Sequence, residues 1–168
     1  KVTASNTFKK TSGTVVFEFI MHDPELAGNM SFALTSGGSN VATFKTLGGK
    51  MYAGSKELRT YKGNMWYMVR ITADTNTKTA EFKVSGKTVA KDVPFEFDCN
   101  FIDGVMISAE NLGGKKVKLD NIRAFEIPYH EDYPSEPVVP DGADDYYIGI
   151  NVCNLWRNGY HWGWDNIS

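Results

Sequence analysis

The sequence predicts an all-β protein, an antiparallel β-sandwich or jelly roll of two sheets with a C-terminal extension. Three observations carry this. Residues 63–87, GNMWYMVRITADTNTKTAEFKVSGK, read as two strands around a polar turn. Tyr67, Val69, Ile71 and Ala73 alternate there with Trp66, Met68, Arg70 and Thr72, a period of two that suits a strand and not a helix. Turn signals recur about every 8–12 residues, with no amphipathic helical stripe between them. Sixteen glycines and many Thr, Ser, Asn and aromatic residues favour short strands with frequent turns.

Taken in order, residues 2–10 form a first edge strand anchored by Phe8. Ser12-Gly13 turns the chain into TVVFEFIM, where Val15, Phe17 and Phe19 alternate with Val16, Glu18 and Ile20. His22-Asp23-Pro24-Glu25 ends that strand, because proline cannot continue a ladder. NMSFALTSGG places Met30, Phe32 and Leu34 on one face before a Gly-Gly turn. VATFKTLGG and KMYAGSKELRTY supply shorter strands. In the central hairpin ADTNTKT gives Asp and Asn to the turn, and Ala80, Phe82 and Val84 then alternate with Glu81 and Lys83. VPFEFDCNFIDGVMISAENLGG is a proline-interrupted strand followed by Val105–Ser108. KKVKLDNIRAFEI closes the module, with Val117 and Leu119 inward and Ile122 after an irregularity. The total is about nine or ten strands with no fixed-period repeat, which sets aside a propeller or β-helix.

Beyond Ile127 the composition changes. Residues 128–145, PYHEDYPSEPVVPDGADD, carry four prolines among acidic residues and read as a linker. Residues 146–168 are apolar and aromatic again and hold three of the four tryptophans. They are expected to open a truncated second domain, or to be a tail packing on the sandwich formed by residues 1–127. The formal net charge is −2 with no basic run, which points away from nucleic acid and anionic membranes. No apolar run approaches the ~20 residues of a membrane helix. The chain opens on Lys-Val-Thr, as expected of a mature product or an excised piece. Cys99 and Cys153, its two cysteines, have neither metal-type nor redox spacing. Two buried thiols and a disulfide made by a folded-back tail both remain open readings.

TVVFEFIM, NMWYMVRITADTNTKTAEFKVSGK and KLDNIRAFEI resemble the concanavalin A-like lectin/glucanase superfamily, the laminin-G-like jelly rolls. That superfamily includes carbohydrate-binding modules, catalytic glucanases and lyases, and structural domains, so the resemblance implies the fold without choosing among them. YYIGINVCNLWRNGYHWGWDNIS resembles the start of a family 99-like glycoside hydrolase barrel. Together the two resemblances imply an accessory module of a secreted, extracellular or cell-surface protein, with a glycan partner and a downstream catalytic domain in the same chain. The Lys-, Asn- and Thr-rich turns would suit a bacterial source.

Catalysis inside the sandwich meets a missing acid pair. Retaining glycosidases need two carboxyls about 5–5.5 Å apart, and glucanase jelly rolls carry acids at alternate positions of one strand. Here Glu18 is followed by Ile20 where the next acid belongs, and Pro24 separates Asp23 from Glu25. KELRTY, with Glu57, Leu58 and Arg59, resembles one piece of an alginate-lyase set whose other strands are missing. His22, His130 and His161 have no metal-site spacing. The resemblance implies a structural calcium at Asp120, with Glu18 or Asp23 completing its oxygen shell. The competing reading is that Asp120 or Asn121 serves a turn or bulge. For sugar binding, aromatic faces must stack on sugar rings while polar groups meet hydroxyls. If Tyr67, Val69 and Ile71 point inward, Trp66 and Arg70 share the other face, and Tyr52 and Tyr61 on nearby strands could join them. Trp66 could equally pack against another domain, which would make the module purely structural.

Overall fold

A computed structural model gives the fold and describes residues 1–26 and 28–127. The linker, the family 99-like segment, His130, His161, Cys153 and the three C-terminal tryptophans lie outside the described residues. Eleven strands follow one another: β1 (Val2–Thr11), β2 (Thr14–His22), β3 (Met30–Ser36), β4 (Ser39–Leu47), β5 (Lys50–Ala53), β6 (Lys56–Thr60), β7 (Trp66–Asp74), β8 (Thr79–Val84), β9 (Lys87–Pro94), β10 (Ile102–Ala109) and β11 (Lys118–Ile127). They form two antiparallel sheets. One has six strands in the order β1-β10-β3-β4-β5-β6, and the other has five in the order β11-β2-β7-β8-β9.

The alternation read from the sequence decides which residues fill the space between the sheets. Val15, Phe17, Phe19 and Met21 of β2, the odd positions of β7 from Tyr67 to Ala73, and Ala80, Phe82 and Val84 of β8 are buried in one cluster. Met30, Phe32 and Leu34 of β3 and Phe44 and Met51 of the next two strands meet them from the six-stranded sheet. Phe19 stacks on Phe32 across the interface, with ring centroids 3.9 Å apart and planes 13° apart. Each fully buried side chain of this size contributes about 1.5–3 kcal/mol relative to exposure.

One local feature differs from the sequence reading. KTVAKD, to which the alternation assigned no strand, belongs to β9, at the edge of the five-stranded sheet. Its lysines and the bulges in its pairing with β8 suit an edge, where charge and irregularity discourage further pairing. The irregularity expected before Ile122 is present. Register slips between Asp120 and Arg123, and Asn121 adopts a left-handed φ of 49°, which asparagine tolerates better than most residues.

Candidate functional site

Trp66, Met68 and Arg70 do point away from the core, onto the outer face of the five-stranded sheet. Register sets their neighbours. His22, Ile20 and Glu18 of β2 lie directly opposite them, and Lys118, Asp120 and Arg123 of β11 lie opposite those. Trp66 is 52% exposed and stacks on His22 at 4.8 Å between ring centroids. Arg70 donates to Glu18 Oε1, and Arg123 donates to Oε2 at 2.7 Å. A shallow depression of about 160 Å³ lies among Ile20, Met68, Asn121 and this ion cluster.

That cluster bears on the calcium expectation. The Glu18 side chain is only 4% exposed, and each of its oxygens meets a guanidinium. A divalent cation there would face two fixed positive charges and a carboxylate already saturated with donors. The Asp120 Oδ1 accepts from the Asn121 backbone N–H at 2.8 Å, inside the bulge. Among the described residues no group of three or more His, Cys, Asp or Glu is arranged to hold a metal. The Glu18–Asp120 pair does not fit calcium.

The two tyrosines leave this face. Tyr61 is 5% exposed and belongs to the core cluster. Its hydroxyl donates to Asp23 Oδ2 at 2.6 Å, and the Gly28 N–H donates to the same oxygen at 2.7 Å. Its ring meets Tyr67 edge-on at 5.9 Å. Burial, followed by the hydrogen bond and charge of Asp23, pushes the phenol well above its ordinary range. Tyr61 is thus an interior latch holding the segment after β2, not a ligand platform. Tyr52 lies on the other sheet altogether, so Trp66 and Tyr52 cannot touch one ligand face.

Tyr52 instead belongs to a row that crosses the whole six-stranded sheet. Thr3 pairs with Ser108, Ser108 with Ser31, Ser31 with Lys45, Lys45 with Tyr52, and Tyr52 with Glu57. Directly paired residues of antiparallel strands share a face. All six point outward, since the flanking row, Ile107, Phe32, Phe44 and Ala53, runs along the core side. A groove of about 400 Å³ runs over this face, lined by Ser31, Lys45, Tyr52, Met106 and Ser108, with Lys1, Asn29 and Glu110 towards one end. The neighbouring outer row contains Met106, Ala33 and Thr43.

The groove offers one aromatic face, an apolar wall, hydroxyls, an amide and both signs of charge. Lys1 meets Glu110 at 2.9 Å and holds that carboxyl below the usual carboxylate range. Lys50 meets Glu57 at 2.8 Å, and this partner raises the amine above its ordinary value. Such a set can stack on a ring and exchange hydrogen bonds with a polyol. Of its members, sequence reasoning singled out Tyr52 alone. The lysine and serines were missed because serine and lysine at alternate strand positions look like ordinary solvated surface.

Comparison with solved structures places the fold. A sialidase aligns with a TM-score of 0.61 at 12% identity over 73% of this chain and 14% of its own. A human galectin-16 variant aligns with a TM-score of 0.53 at 10% identity, over 72% of this chain and 93% of its own. A second human galectin-16 variant gives 0.52 at 11% identity, over 72% and 93%. This chain therefore spans a small part of the sialidase's length and nearly all of the galectins'. No family model matches the sequence, and none of the curated proteins matches it. The described residues form an all-β jelly-roll sandwich of two antiparallel sheets.

Proposed function

We propose that this chain is a non-catalytic, carbohydrate-binding sandwich of a secreted glycan-active protein, and that the glycan lies in the groove over the six-stranded sheet. The observation that carries this is the row from Thr3 to Glu57, with Tyr52 beside an open groove of about 400 Å³. Fold likeness to galectin and sialidase structures supports the reading. A downstream glycoside hydrolase beginning near residue 146, an extracellular or cell-surface location and a bacterial source belong to the same proposal.

The test is affinity electrophoresis of the 168-residue chain against plant, algal and host polysaccharides, with and without EDTA. Retardation by a glycan should weaken at least tenfold in Tyr52→Ala and persist in Trp66→Ala, since a stacked ring supplies a large part of such contacts. EDTA should leave it unchanged, because arginines hold both Glu18 oxygens. Loss of binding in Trp66→Ala with Tyr52→Ala unaffected would move the site to the five-stranded sheet. Silence across the panel from a folded protein would defeat the binding reading. A second reading would then take over, a structural module docking on its neighbour. It rests on the exposed Trp66, Met68 and Ile122 of the five-stranded face.

A further inference from the structure

We infer that the groove over the six-stranded sheet takes an anionic polysaccharide, carboxylated or sulfated, lying across the strands with one acidic group on Lys45. This rests on the proposed carbohydrate-binding reading and names the substrate class of that site.

The argument starts from charge. Two lysines line the groove, and Lys1 is already paired with Glu110. Lys45, in contrast, meets no carboxylate among the described residues. Its cross-strand neighbours are Ser31 on one side and Tyr52 on the other, and neither is a carboxylate. An ammonium held at the middle of a groove, without an anion of its own, is a ready partner for a carboxylate or sulfate. A neutral glycan would leave that donor facing sugar hydroxyls alone.

Geometry gives the direction. Adjacent strands lie about 4.8 Å apart, close to the length of one sugar unit in an extended polymer. A chain laid across the strands therefore sets successive units over Ser108, Ser31, Lys45 and Tyr52. The unit over Tyr52 stacks on its ring, while its neighbour places an acidic group on Lys45. The serines then meet hydroxyls further along. Of the two lysines lining the groove, Lys1 is paired with Glu110, and Lys50, which does not line it, is paired with Glu57, so the unopposed charge is that of Lys45.

The test compares polygalacturonate and a sulfated galactan with the carboxyl-reduced and desulfated forms of the same polymers, by calorimetry at two salt concentrations. The acidic form of at least one pair should bind tenfold or more tightly than its neutral counterpart, and its affinity should fall with added salt. Lys45→Gln should abolish that preference, bringing the acidic form's affinity down to that of its neutral counterpart on the same variant. Glu110→Gln, which releases Lys1, should tighten acidic binding several-fold. Equal affinity for acidic and neutral forms, or a preference that survives Lys45→Gln, would overturn the inference. Neutral polymers that bind through Tyr52 while acidic ones fail would sink it and leave the carbohydrate-binding module standing. Failure of every polymer would remove both.

Discussion

At the scale of single residues, the buried polar contacts carry the sharpest expectations. Asp23 is 2% exposed, and its Oδ2 accepts from both Tyr61 and Gly28. Removing the phenolic hydroxyl in Tyr61→Phe takes one donor from a buried carboxylate. Chemical denaturation at neutral pH should show a loss of about 1–3 kcal/mol. The fold raises the Tyr61 pKa above the ordinary value of 10.0, so its contribution is complete below that pH in the unfolded chain's terms. It is lost as pH rises through the folded value. Stability measured by urea melts should therefore decline above about pH 10, and Tyr61→Phe should show a shallower decline over the same window. This residue also marks a limit of the sequence. Tyr61 and Tyr52 are nine positions apart on neighbouring segments, and both looked available to Trp66. Which side a tyrosine turns to depends on a hydroxyl partner, and Asp23 is 38 residues away in the chain.

At the scale of elements, the strands with one clean apolar face were legible. β7 and β8 show strict alternation in burial, and the bulge before Ile122 was expected from the same pattern. β9 was not legible, because an edge strand buries little and so has little need of alternation. The assignment of strands to sheets was also hidden. β5 and β7 are separated by only twelve residues yet belong to opposite layers, and nothing in local periodicity records that crossing. The crossing has its own steric condition. A Cβ on Gly63 would lie 2.6 Å from the Pro24 carbonyl oxygen, a backbone atom that cannot swing aside. Gly63→Ala should therefore destabilise the protein by about 1–3 kcal/mol, read as a lowered denaturant midpoint with an unchanged slope.

At the scale of the molecule, one apolar layer holds both sheets together, and its centre is the stacked pair Phe19–Phe32. Phe19→Ala should cost about 3–5 kcal/mol, and far-UV and tryptophan signals should still shift together, because neither sheet keeps a core without the other. The layered plan also separates two kinds of position. Every residue of the row from Thr3 to Glu57 lies outside the core cluster, and each of the six strands contributes one. Substitutions along it can therefore accumulate at almost no thermodynamic penalty, strand by strand, while the interior stays under tight steric selection. A library randomised at those six positions would therefore vary the chemistry of one whole face without searching for a new fold.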